Sequence, residues 1–405
     1  MNILFICNEY PPGKSGGIGS VTRSLARELS AAGHNIFIAG LYLPGYGQKD
    51  YEEDGGIRIW RKRFGIDKGL LTNNYSFTDI VLTRLLTITG VLKRDARKSV
   101  RSFNTFVAQL ITEFGIDIVE WPDFNEYFRF FPADFSWPSL PVPLVIKFHG
   151  NISYLQKQMQ EPIDKNAYAA EKKHLLRANV LVSVSRNTAD NYTSFYQLNR
   201  QIDVLYNSID LPPLYYSPDK TTPTIIYTGT LTKLKGIYSL LRAWNIVHQK
   251  HPGAVLRIFG KGHSKPLLPE LEHDALPSVR FEGFVTRDEL YKAMSTASAA
   301  IFPSYTECFA IAPLEAMAAG CPVIYTERVS GPELVTEGDN GLLVDPDDYG
   351  QMAASMLLLL ENKDLRKKFS ENGRATIVQK FDIRKSAADH IDFYSRVIYD
   401  YYKKQ

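Results

Sequence analysis

Apolar residues recur along this chain in two alternating rhythms. Short, nearly unbroken apolar runs appear at "NILFICN" (2–8), "HNIFIAG" (34–40), "DIVEW" (117–121), "PLVIKFHG" (143–150) and "NVLVSVS" (179–185). Such runs predict strands covered on both faces, as in parallel sheets. Between the first two lies "GSVTRSLARELSAAG", where Val21, Leu25 and Leu29 recur every four residues, a helical spacing that stops at Gly33. After the proline-rich stretch 208–223 the pattern restarts with "TIIYTGT", the helical "IYSLLRAWNIVHQ", then "AVLRIFGKG", "VRFEGFV", "AAIFPS" and "PVIYT". Strand, loop and helix in repeated order predict two successive α/β domains, 1–208 and 209–384, with the cleft between them as the expected ligand site. The last helix, in 385–405, has no strand after it and is expected to pack back on the first domain.

Composition narrows the class. The chain has 405 residues, which is long for one core, and is 44% hydrophobic and 22% charged. No apolar run is long enough to span a bilayer, and "MNILFICNEYPPG" reads as a buried strand rather than a leader. Three cysteines without paired spacing point away from a disulfide framework or zinc site and towards a reducing cytoplasm. A net charge of +3 is too small to indicate a nucleic-acid partner.

The candidate chemistry sits in loops that follow predicted strands. In "PSYTECFAIAPLEAMAAGCPVI" (303–324), Ala312 is the expected helix cap, Pro313 the first helical residue and Gly320 the helix end. Glu315 then falls in the first turn, and Glu307 lies in the loop before it, both beyond a strand's carboxyl end, where open α/β sheets bind ligands. "YPPGKSGGIGS" brings Gly16, Gly17 and Gly19 to the start of the first helix, where amides can approach an anion. The glycines do not match the dinucleotide-binding spacing, which disfavours a nicotinamide dehydrogenase. In "YTGTLTKLKGI" Lys235 stands near a helix start, where a cation is disfavoured unless it serves an anion such as phosphate.

These motifs, with "IFGKG", "FEGFV" and "GPELVTEGDNGLLVDPDD" in order, resemble the retaining glycosyltransferases of family 4, and the Glu307–Glu315 pair lies in that family's signature segment. "PPGKSGG", "KFHG", "VSVS" and "YNSID" are similar too, so the resemblance covers nearly the whole chain. It implies a GT-B fold, α/β throughout, with two Rossmann-like domains and a sugar nucleotide held mainly by the second. By this resemblance Glu315 would hold the ribose. Glu307 would stand beside the donor sugar, with the backbone of Phe309, Ala310, Ile311 and Ala312 near its hydroxyls and the diphosphate. Lys235 would bind the diphosphate with the Gly229–Thr230 loop and Lys233, and Gly16 and Gly17 would approach it. His149 would sit by the transferred sugar and Phe284 at the edge of the base. The expected catalytic set is thus His149, Lys235 and Glu307.

The family usually carries an arginine where Thr230 stands. Lys233, Arg186 and Arg328 are the candidates to replace it. Cys308 and Ala310 occupy positions that are often glycine. "DPDD" (345–348) reads as an ordinary loop rather than a metal site, and no metal or other cofactor is expected. Lys93, Arg94, Arg97, Lys98 and Arg101 recur at helical spacing within 83–111. They form a solvated face or, in the sharper reading, a peripheral contact with an anionic membrane at its inner face. The expected activity is transfer of a hexose from a UDP- or GDP-sugar to a hydroxyl of a glycan, lipid-linked or small-molecule acceptor, in the cytoplasm, in envelope polysaccharide or glycolipid synthesis. The rivals are a starch- or sucrose-synthase-like enzyme with a soluble acceptor, and a GT-B protein that binds nucleotide sugar or glycan without turnover.

Overall fold

The computed structural model describes residues 1–13, 16–42, 46–47, 49–63, 86, 88–125, 128, 139–213 and 223–404. They fall into two compact units. The first comprises Met1–Val184, Thr188–Leu205 and Ile383–Gln405, and the second Ser185–Asn187 and Tyr206–Asp382. Part of the proline-rich linker, 214–222, lies outside the described residues.

The first unit is built on eight strands, β1 (Asn2–Ile6), β2 (Asn35–Tyr42), β3 (Tyr51–Asp54), β4 (Ile57–Arg63), β5 (Ile118–Pro122), β6 (Leu144–Phe148), β7 (Val180–Ser183) and β8 (Ile202–Val204). Their order is β3-β4-β2-β1-β5-β6-β7-β8, all parallel except β3. The β3–β4 hairpin escapes the sequence reading. Its turn is Gly55–Gly56, with φ of 60° and 89°, the two positive angles a tight two-residue hairpin needs. Helices α1 (Gly17–Ala31), α2 (Val91–Phe114), α3 (Ile152–Gln158), α4 (Lys165–Leu176) and α5 (Arg186–Tyr196) fill the crossovers. On α1, Leu25 and Leu29 are buried, with Val21 beside them, as the four-residue spacing requires.

The second unit has six parallel strands, β9 (Thr224–Thr228), β10 (Val255–Phe259), β11 (Val279–Gly283), β12 (Ala299–Phe302), β13 (Val323–Thr326) and β14 (Leu342–Val344), in the order β11-β10-β9-β12-β13-β14. Helices α6 (Ile237–Lys250), α7 (Arg287–Thr296), α8 (Ile311–Ala318), α9 (Gly331–Leu334), α10 (Tyr349–Glu361) and α11 (Lys363–Thr376) cover it. The strand β14 lies within "GLLV", pairs with β13, and leads directly into the "DPDD" loop. In each sheet the winding reverses beside the first strand, between β1 and β5 and between β9 and β12. Parallel order puts the loops after those strands on one edge, where such sheets hold ligands.

The final helix, α12 (Ile383–Lys403), belongs to the first unit, where Ala387, Phe393, Tyr394 and Val397 join the core formed by β1, β2 and α1. Two buried polar contacts fasten it. Tyr394 Oη donates to Glu120 Oε2 at 2.6 Å, and Lys147 Nζ lies 3.0 Å from His390 Nε2. Burial holds both Lys147 and His390 below their ordinary pKa ranges. On α2, Ala96, Val100, Phe103, Val107 and Leu110 are buried in the unit, while Arg94, Lys98 and Arg101 are exposed. The apolar side of that helix therefore packs into the core, and these three basic residues face outward. Among the described residues no helix is long and apolar enough to cross a membrane.

Tyr394→Phe removes the donor to a buried carboxylate without changing shape. Leaving Glu120 unsatisfied is expected to cost about 1–3 kcal/mol, read as a lower urea midpoint.

Candidate active site

The site in the second unit starts from two loops at the point where the sheet reverses. After β9 the chain makes a short turn, Lys233–Lys235, and enters α6 through Gly236 at φ 71°. A Cβ on Gly236 would lie 1.8 Å from the Pro303 carbonyl oxygen, so glycine is what lets this turn press against the loop after β12. The two loops are joined by Tyr305 N–H donating to Leu234 O at 2.8 Å. Their closeness brings together charges 72 residues apart: Lys235 Nζ donates to Glu307 Oε1. The lysine side chain is 32% exposed and the glutamate 14%, so the pair is open on the lysine side. Lys235 thus has an anion, as its place before a helix demanded, and that anion is the first acid of the signature segment.

Below this pair, Gly229 and Thr230 form the exit from β9, held by Tyr227 Oη donating to Thr230 O at 3.0 Å and by Gly229 N–H donating to Phe259 O at 3.0 Å. Beyond it α8 begins two residues earlier than the sequence predicts. Its cap is Ala310, not Ala312, and Pro313 stands third in the helix. The third position is still one whose N–H would have no partner in the helix, so proline is tolerated there. Glu315 accordingly lies just past the first turn rather than in it. No side chain caps α8, so its first helical amides, at Ile311 and Ala312, meet no capping side chain and could serve an anion. Phe309, just before, is buried against Tyr206 and Phe381, and its carbonyl accepts from Asn207 Nδ2 at 3.0 Å.

Glu315 is paired with Arg287, the first residue of α7: Nε donates to Oε1 at 2.9 Å, and Nη2 is 2.8 Å from the same oxygen. Burial pushes the Glu315 carboxyl above its ordinary pKa, and Arg287 opposes that rise. Near α7, at the end of β11, Phe284 is 75% exposed with Lys261 Nζ 4.8 Å from its ring centre, a free aromatic face of the kind a base stacks on. Of the cations expected to replace arginine at Thr230, Arg328 is bound to Asp345 at 2.5 Å and Asp347 at 2.7 Å and stacks on Tyr305. The "DPDD" acids thereby hold a cation of the protein itself. Arg186 and Asn187 donate their backbone N–H groups to Glu333 at 2.7 and 2.8 Å. Lys233 is exposed beside Lys235.

The first unit carries its own loops at the β1–β5 reversal. Gly16 caps α1 with no side-chain help, but Glu9 Oε1 accepts from the Gly19 N–H at 2.8 Å. One amide of the glycine-rich turn is therefore already engaged by an acid, and Gly17 faces open space. His149 follows β6. Its N–H donates to Asp123 Oδ1 at 2.7 Å, while Tyr192 Oη donates to Asp123 Oδ2 at 2.5 Å. Asp123 is wholly buried, which pushes its pKa up to about 6. Burial, with the charge of Lys147, holds the His149 imidazole down to about 3, so at neutral pH the ring is uncharged.

Two family profiles lie side by side on this chain: "Glycosyltransferase Family 4" over residues 15–212 and "Glycosyl transferases group 1" over 216–376. The chain belongs to these glycosyltransferases. A glycogen synthase of Mycobacterium tuberculosis is 24% identical, covering 94% of this chain and 91% of its own. The fold is similar to that of a sucrose-phosphate synthase from Thermosynechococcus elongatus, TM-score 0.76 at 18% identity, covering 98% and 99% of the two chains. Alr3699/HepE of Anabaena, solved in complex with UDP, has a TM-score of 0.69 at 18% identity, covering 98% of this chain and all of the other. The fold is GT-B.

In this glycosyltransferase the structure joins Lys235 to Glu307 directly and gives Glu315 a partner that the sequence reading missed. The signal was there. Arg287 opens a helix whose cap is the box Thr286–Glu289, so it is a cation against the helix dipole, as Lys235 is. Asp123, under His149, carried no such local mark.

Asp123→Asn is expected to change the pH dependence of stability. A carboxyl whose pKa rises from 3.8 unfolded to about 6 folded stabilises fully below pH 3.8, and that contribution is lost as pH rises through 6. Relative to the variant, the wild type should lose on the order of 1 kcal/mol per pH unit between pH 4 and 6. Urea midpoints of both proteins across that range measure it, and parallel curves would refute the assignment.

Proposed function

We propose that this glycosyltransferase moves a hexose from a UDP- or GDP-sugar to a hydroxyl of a glycan or lipid-linked acceptor, with retention at the anomeric carbon, in cell-envelope polysaccharide or glycolipid synthesis. The observation that carries the reading is the Lys235–Glu307 ion pair beside the uncapped start of α8. Breaking the bond between a sugar and a diphosphate separates charge: the sugar becomes cationic and the leaving oxygen anionic. A site for that reaction needs a fixed cation and amides on one side and a carboxylate on the other. Lys235 with the α8 amides supplies the first, and Glu307 the second. Glu315 accepts from the ribose hydroxyls and Phe284 packs on the base. His149, uncharged at neutral pH, serves the transferred sugar by hydrogen bonds rather than as a cation. No step in this scheme calls for a metal. Sugar nucleotides are made in the cytoplasm, and the reading puts the enzyme there.

A second reading, a soluble sugar acceptor, draws support from the full-length likeness to a glycogen synthase and a sucrose-phosphate synthase. Release of nucleoside diphosphate from a panel of UDP- and GDP-sugars, with glucan oligosaccharides and lipid-linked sugars as acceptors, separates the two. Release with none of them would reduce the chain to a binding protein.

Lys235→Ala is expected to impair turnover more than donor binding. The charge it meets grows as the bond breaks, so the loss falls mainly on the transition state. Removing one such preorganised donor lowers kcat by about two to three orders of magnitude. Near-normal kcat with a raised KM would reduce Lys235 to an anchor.

A further inference from the structure

The pairing of Glu315 with Arg287 is one-sided. Two of the three guanidinium nitrogens, Nε and Nη2, converge on Oε1, which leaves Oε2 to other donors. The arginine is 46% exposed, so it is not placed there to fill a core, while the Glu315 side chain is 14% exposed. A half-buried carboxylate beside an apolar helix pays for its charge in lost hydration and turns to whichever donors are near. Arg287 supplies the compensating charge and fixes the direction at once. Its own place is set by the capping box that starts α7, by Tyr291, whose ring centre is 5.7 Å from the guanidinium, and by Asp210 at 3.9 Å. The buried Tyr291 hydroxyl faces the same pair and helps hold the Glu315 carboxylate.

We propose that Arg287 is a positioning residue for nucleotide recognition: it holds Glu315 by one oxygen so that the other clamps the ribose diol of a bound nucleoside diphosphate. This rests on the glycosyltransferase reading given above and deepens it, because it makes ribose-against-deoxyribose discrimination a property of an arginine that never touches the sugar. It also carries a pH consequence. The charged and titratable groups around Glu315 are Arg287 and Tyr291 on α7, with Asp210 close to the arginine. Arg287 favours the ionised carboxylate by charge and hydrogen bond, and Tyr291 adds a weaker hydrogen bond. Burial already lifts the Glu315 pKa, and loss of the arginine lifts it further, so the variant's clamp protonates at a higher pH than the wild type's.

The test is calorimetric titration of the intact protein and its Arg287→Ala and Arg287→Lys variants with UDP, GDP and the 2′-deoxy and 3′-deoxy forms of whichever binds. Wild type is expected to prefer the ribonucleotide by about tenfold or more, the worth of a hydrogen bond to a charged acceptor. Arg287→Ala should bring that ratio near one and weaken the ribonucleotide about tenfold, more at pH 5.5 than at pH 8. Arg287→Lys, which keeps the charge but not the fork, should hold the pH profile flat while losing part of the discrimination. Variants that keep the wild-type ratio and profile overturn the proposal while leaving the glycosyltransferase reading intact. If wild type binds neither UDP nor GDP, both fall.

Discussion

The ion pair between Lys235 and Glu307 is the constraint on which the second unit's site turns. It closes the gap between the loops after β9 and β12, the adjacent central strands between which the sheet reverses. It depends on glycine at 236, because any side chain there would meet the Pro303 backbone and separate the loops. Its charges match those that appear when a sugar leaves a diphosphate. In the free protein each side chain neutralises the other, so neither charge is left unpaired in a half-buried place. On the proposed function, the diphosphate and sugar of a bound donor take over the two roles.

Similar economy appears where other charged groups meet. Arg328 is held by Asp345 and Asp347, Glu315 by Arg287, and Glu9 by an amide of the glycine-rich turn. In the first unit the buried Asp123 accepts from His149 and Tyr192 and so ties the loop after β6 to the loop after β5. The loops of each unit are thus held by bonds among their own residues, the kind of preorganisation an electrostatic mechanism requires.

How much of this could be read from sequence follows from the range of each interaction. The parallel strands were legible because burial on both faces writes a continuous apolar run, and α1 because its apolar stripe repeats every turn. Lys235 was legible as a cation set against a helix dipole. The start of α8 was misplaced because alanine caps it and leaves no side-chain mark, while Pro313 gives a stronger but misleading one. The Lys235–Glu307 and Arg287–Glu315 contacts span 72 and 28 residues and exist only once the crossovers have folded. The β3–β4 hairpin was missed although its double glycine and alternating flanks are a local signal. The basic residues of α2 looked amphipathic because sequence alone does not say which partner covers the apolar side, and here it is the core of the unit.

The central claim is that Lys235 and Glu307 serve opposite charges of one breaking bond. Its most direct test is UDP affinity and donor turnover measured together on Glu307→Gln. Removing the carboxylate frees Lys235 for the diphosphate, so UDP should bind the variant at least as tightly as wild type, while turnover falls by about two orders of magnitude as the cationic sugar loses its partner. Weaker UDP binding with unchanged turnover would contradict the account.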